Sequence, residues 1–153
     1  MNESDFHQVI AHAPLISLDF IVTNTQGQWL LGQRSNRPAK GSWFVPGGRV
    51  LKNETLDNAA RRLTENELGQ IHELDAMRFL GVYQHFYTDS IASPDVSTHY
   101  VVLAYQFQSS LDLEVLPHHQ HDRYCWWTAD AIERDERVHD NTRAYLPPVL
   151  SIV

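Results

Sequence analysis

Positions 15–23, LISLDFIVT, form a run of β-branched and aromatic residues with one charge inside it, and that pattern predicts a strand. NTQGQ (24–28) has turn composition and WLLGQR (29–34) returns as a second strand, so together they predict a hairpin. SNRPAKGS (35–42) carries Pro38 and Gly41 and predicts a loop, followed by a short extended piece, WFVPGG (43–48). The period then changes. Leu56, Ala60, Leu63 and Glu67 share one stripe at about 100° per residue, which predicts a helix from Thr55 to Leu68. Thr55 suits its N-cap, Asp57 its first turn and Gly69 its C-terminal stop. FLGVYQHFYTD (79–89), THYVVLAYQFQ (98–108) and RYCWWT (123–128) predict further strands. A helix is expected from about Thr128, and another short one within NTRAYLPPVL (141–150) before its prolines. Strands and helices mix without a regular βαβ alternation, which favours an α+β fold, an α/β/α sandwich, over a doubly wound sheet. There is no internal repeat and no low-complexity linker, so residues 1–153 are expected to form a single domain.

Composition changes this picture little and narrows the partners. The chain is 42% hydrophobic and 20% charged, ordinary for a globular domain of 153 residues. Its formal net charge of −7 argues against a nucleic-acid backbone or an anionic membrane as the main partner. A phosphorylated small molecule stays open, provided a metal and a few local arginines supply positive charge. Residues 1–14 lack the apolar run of a signal peptide, and no stretch approaches 18 apolar residues. The single cysteine, Cys125, lies in a strand-like context and is expected to be a buried thiol. These points favour the cytoplasm.

Four positions carry unusual chemistry. Glu67 sits on the apolar stripe of its helix, at the end where the helix dipole disfavours an anion. A buried, unpaired carboxylate is costly. Two remedies are open: an ion pair with a basic residue such as Arg62 or Arg49, or a metal ion. The adjacent Gly47 and Gly48 let the backbone approach a ligand closely, and their carbonyls can join a carboxylate around a hard cation such as Mg²⁺. Asp19 is the charge inside the first strand, where either a structural ion pair or a functional role would account for it.

Gly48, Glu54 after five intervening residues, Arg62 after seven more, and then Glu67 and Gly69 resemble the Nudix box of Mg²⁺-dependent hydrolases. The box usually has Glu where this chain has Leu63 and Asn66, and an apolar residue where it has Gln70. From about Phe6 to Tyr145 the chain resembles the GDP-mannose mannosyl hydrolase branch of that superfamily. The resemblance runs through PLISLDFIV, LLGQRSNRPAKGSWFVPGGRV, RLTENELG, QHFY, THYVVL, QHDRYCW and VHDNTRAY. It implies the Nudix α/β/α sandwich with a mixed sheet, a homodimer, and hydrolysis of GDP-mannose, with GDP-glucose a further substrate. Water would attack C1 of the sugar and release GDP and the inverted sugar. Mg²⁺, with Mn²⁺ as a substitute, would be held by the Gly47 carbonyl, Glu67 and Gln120. His121 is then the general base, and Arg34, Arg49 and Tyr100 hold the diphosphate. Asp19 stands near the sugar and stabilises charge at C1, with His85 close by. Arg62 and Glu54 are implied to be supporting residues. An orthodox Nudix pyrophosphatase and a non-catalytic sensor of nucleotide sugars are the rival readings.

Overall fold

The computed structural model describes residues 1–116 and 121–147, with His121 and Asp122 described through their backbone alone. Its centre is β1 (Leu15–Thr23), which turns through Asn24 and Gly27 into β2 (Trp29–Arg34). β3 (Trp43–Phe44) continues the sheet beyond β2, and β4 (Gly47–Arg49) pairs antiparallel with β1. β5 (Arg78–Tyr87) and β6 (Thr98–Gln108) form a long antiparallel pair, and β7 (His121–Trp127) runs antiparallel to β2. β1 and β6 are parallel along their whole length, from Leu15 opposite Tyr100 to Thr23 opposite Gln108. The result is a mixed seven-stranded sheet, with the order β3-β2-β1-β6-β5 along its main path.

Each face of the sheet has its own core. On one face Leu18, Phe20, Val22 and Leu30 pack against Ala59, Ala60, Leu63 and Leu68 of α2 (Leu56–Leu68). On the other, Ile21, Leu31, Trp43 and Trp127 meet Ile132 of α3 (Ala129–Arg134), with Val138 and Tyr145 flanking α4 (Asp140–Arg143). This is the α/β/α layering expected of the sequence, and its cause is plain. Alternate residues of the central strands are apolar on both faces, so each face needs a helical cover.

α2 starts and stops as its sequence dictates. The Thr55 side chain accepts the Asn58 N–H at 3.1 Å, and Gly69 ends the helix at φ 73. The apolar stripe begins one turn later than the wheel suggests, because Leu56 is exposed. A helix that the strand pattern does not announce, α1 (Glu3–His12), precedes β1. Its signal is local: the Asn2 side chain accepts the Asp5 N–H at 2.8 Å, and Glu3 and Asp5 occupy the first turn.

Cys125 is exposed, contrary to the expectation of a buried thiol. β7 pairs with β2 alone, and its half-buried Tyr124 and Trp126 pack on the α2 side. Arg123 and Cys125 alternate with them toward solvent. His72 is half-buried, with its ring 4.3 Å from that of Phe107. Among the described residues no helix is long and apolar enough to cross a membrane.

Candidate active site

A cavity of about 230 Å³ opens where β1, β4, β5 and β6 meet the loop after β2. Asp19, Arg34, Gly47, Arg49, His85 and Tyr100, all singled out by the sequence, line it. They come from five strands, so the sheet's pairing sets their positions. Asp19 faces Gly47 across the β1–β4 ladder, with Ser17 facing Arg49 two residues away. His85 and Tyr100 are direct partners across β5 and β6.

The two glycines are required by space, not by dihedral angle, since neither has a positive φ. A Cβ on Gly47 would stand 2.7 Å from Asp19 Oδ1 and far inside contact with the Leu18 carbonyl oxygen. A Cβ on Gly48 would run into the Leu63 side chain. β4 therefore lies as close to β1 and α2 as a backbone can.

Arg34 ends β2. Its Nε donates to the Pro38 carbonyl at 2.8 Å, and its backbone closes the loop through Ser42 and Gly41. Its charge counters, in part, the burial of Asp19, Glu67 and Tyr100, so it lies electrostatically at the centre of the site. Arg49 stands over the Phe6 ring at 4.0 Å, and its pKa is lowered mainly by burial, with Tyr100 opposing the shift. Burial raises the Tyr100 pKa, keeping its hydroxyl a donor. Arg62 donates to Glu54 from Nε at 2.7 Å and to the Arg49 carbonyl at 2.9 Å. Glu54 in turn accepts the Leu51 N–H at 3.0 Å. This pair braces the segment between β4 and α2.

Asp19 is buried, and burial pushes its carboxyl up to about 7, against the opposing effects of the Tyr145 hydrogen bond and Arg34. The Tyr145 hydroxyl donates to Asp19 Oδ2 and lies 3.3 Å from His85 Nε2. His85 is buried too, and burial followed by the neighbouring His139 lowers it to about 4, so the ring is neutral near neutral pH. Its ring is boxed by Phe44, Tyr87 and Tyr145.

Glu67 does not take the ion pair that Arg62 or Arg49 might have offered, for Arg62 is engaged by Glu54. Its carboxylate is buried with Oε2 lacking a hydrogen-bond partner among the described residues, and burial lifts its pKa to about 7, Arg34 opposing. Among the described residues no three His, Cys, Asp or Glu side chains cluster in a way that would hold a metal. A ligand set of one carboxylate with backbone and amide oxygens forms no such cluster. The orphaned buried oxygen fits a hard cation, which takes oxygen donors. Gln120, like His118 and His119, lies outside the described residues. Only the backbone of His121 is placed: it opens β7 opposite Arg34, where the β2–β7 register shifts.

Sequence reasoning did not single out Tyr145, Phe6 or Tyr87 as site residues. Phe6 and Tyr87 line the cavity, and Tyr145 stands behind it. Tyr87 had a signal, since it lies two residues past His85 on the same strand face.

A mixed sheet lies between helical layers, and a glycine strand feeds a helix that carries a buried carboxylate. The chain belongs to the NUDIX domain family, whose model matches residues 14–147. It is similar to the low-salt glycan biosynthesis protein Agl8 of Haloferax volcanii, with 39% identity over 104 residues. That match covers 68% of this chain and 65% of the relative, so the chain spans slightly under two thirds of that protein's length. The fold is similar to that of the MutT protein from Methanosarcina mazei Go1, at TM-score 0.71 and 22% identity over 88% of this chain and 91% of that one. It is similar also to the MutT NUDIX hydrolase from Burkholderia pseudomallei, at TM-score 0.68 and 25% identity over 88% and 96%. Nudix hydrolases generally use divalent metals such as Mg²⁺ or Mn²⁺.

Proposed function

We propose that this chain is a GDP-mannose mannosyl hydrolase, acting also on GDP-glucose, in which water attacks C1 of the sugar. The observation that carries this reading is the state of α2. Leu63 is packed in the core against Gly48, Asn66 is exposed, and Glu67 is the one buried carboxylate of α2. An enzyme attacking phosphorus through several metals needs more acidic ligands than that. Similarity to a glycan biosynthesis protein adds support for a sugar-bearing substrate.

The Gly47 carbonyl, Glu67 and Gln120 would hold one Mg²⁺, whose charge would help neutralise the diphosphate. Arg34 and Arg49 grip the phosphate oxygens and stabilise the charge that develops as GDP departs. Tyr100 donates its hydroxyl to the same group. Asp19, ionised, faces the positive charge that grows at C1, and His85 helps fix the sugar beside it. His121 takes the proton of the attacking water. The new bond joins the water oxygen to C1, while the bond from C1 to the β-phosphate oxygen breaks and GDP leaves with that oxygen. We place this activity in a single-domain cytoplasmic homodimer.

A single turnover in ¹⁸O-labelled water tests the reading. The label is expected in the sugar, which first appears with inverted anomeric configuration, and not in GDP. GMP and a sugar 1-phosphate, with label on phosphate, would return the chain to the pyrophosphatases. No turnover of any nucleotide sugar with Mg²⁺ or Mn²⁺ would favour a sensor.

A further inference from the structure

Tyr145 reaches the site from the far end of the sequence. α4 and the segment before it are pinned to β3: Trp43 N donates to the Arg137 carbonyl at 2.9 Å, and His139 N donates to the Trp43 carbonyl at 3.1 Å. The His139 ring nitrogen Nδ1 accepts the Asn141 N–H at 3.0 Å and starts the short helix. Tyr145 follows it, buried at 6% exposure, with its ring edge-on to Tyr83 at 4.7 Å. It does not line the cavity, whereas both of its polar partners do.

The proton inventory of these partners is restrictive. A phenol has one proton to give and lone pairs to receive with. An ionised Asp19 can only accept, so the Tyr145 proton belongs to Asp19 Oδ2. The contact with His85 then needs a donor on the imidazole side, which fixes the neutral ring as the Nε2–H tautomer. With Oδ2 anchored, Oδ1 is the Asp19 oxygen that lies over Gly47. The phenol stays protonated throughout, because burial first, and then Asp19, push its pKa far up.

We propose that Tyr145 is a positioning residue for this site, holding the Asp19 carboxylate and the His85 imidazole in one hydrogen-bonded chain from behind the cavity. The hydroxyl selects the rotamer of Asp19 and the tautomer of His85 while touching no substrate. This assignment rests on the reading that Asp19 and His85 serve the sugar end of the reaction, so its test includes a readout that needs no turnover.

Tyr145→Phe keeps the ring packing and removes the hydroxyl. With GDP-mannose its kcat is expected to fall about 10- to 100-fold, the scale of a displaced reacting group. KM should shift by less than about threefold, because the diphosphate contacts remain. Independently, ¹⁵N-edited spectra of the imidazoles at about pH 8.5, where Asp19 is ionised, report the tautomer. Wild type should show His85 as Nε2–H, and Tyr145→Phe should move it toward a mixture. Asp19→Ala, with Tyr145 intact, should flip His85 to Nδ1–H, since the phenol proton then turns to Nε2. That variant carries the test if Tyr145→Phe does not fold. A wild-type His85 already in the Nδ1–H form overturns the proposal, as does a His85 that stays Nε2–H in both variants. An unchanged kcat in a folded Tyr145→Phe overturns it equally. If the wild type turns over no nucleotide sugar, the functional reading fails while the tautomer still decides the role of Tyr145.

Discussion

Glu67 is an anion with two penalties, burial and the wrong end of a helix dipole, and in the described residues its Oε2 has no partner to offset them. Its folded pKa of about 7 lies above the unfolded value of 4.5, so the folded state holds the extra proton. The stability linked to this group is full below pH 4.5 and is lost as pH rises through about 7. In chelator at pH 8, Glu67→Gln should therefore melt higher than wild type, by a few degrees. Added Mg²⁺ should raise the melting temperature of the wild type and leave that of Glu67→Gln nearly where it was. Glu65→Gln, on the exposed side of the same helix, should behave as wild type in both conditions. Equal metal responses from the two variants would remove Glu67 from the ligand set. The oddity of Glu67 is visible in the bare sequence, because helix period and burial are local properties. The same holds for Asp19, a charge in an apolar strand. The partner of Asp19 is not visible, since nothing in the spacing of residues links β1 to a tyrosine beyond α4.

At the scale of elements, the site is a matter of how near β4 comes to its neighbours. Gly47 abuts backbone, the Leu18 carbonyl, while Gly48 abuts the end of the Leu63 side chain. A side chain can rotate away and a paired strand cannot. Gly48→Ala should thus cost about 1–3 kcal/mol, the usual scale of overpacking, and Gly47→Ala more than that. Urea unfolding of the two variants checks the order, and a Gly47→Ala as stable as Gly48→Ala would refute it. Most elements were legible in advance because their periods and caps are strong, α2 above all. α1 was hidden by its sparse apolar pattern, although its cap was present. Cys125 was misjudged because a single apolar strand does not reveal that it lies at the margin of the sheet.

Across the whole molecule, buried titratable groups pull stability in opposite directions with pH. His85 has a folded pKa of about 4 against 6.5 unfolded, so its contribution is full above pH 6.5 and is lost as pH falls through about 4. Asp19 and Glu67, raised to about 7, lose theirs as pH rises toward that value. In metal-free protein the two carboxylates outweigh the histidine, and stability should decline from about pH 4.5 to 7. His85→Gln removes the opposing slope, steepening the decline below pH 6.5 by up to about 1.4 kcal/mol per pH unit. Denaturant melts at half-unit pH intervals measure this, and parallel curves would mean that His85 titrates normally. The bond between Tyr145 and Asp19 has a further consequence, in time rather than in energy. Its ends are 126 residues apart in the chain. At cellular rates of synthesis, roughly 6–25 s pass between the making of Asp19 and the making of the phenol that will hold it. The aspartate thus waits while the intervening residues are made, and its carboxylate is not held until the segment around Tyr145 has docked.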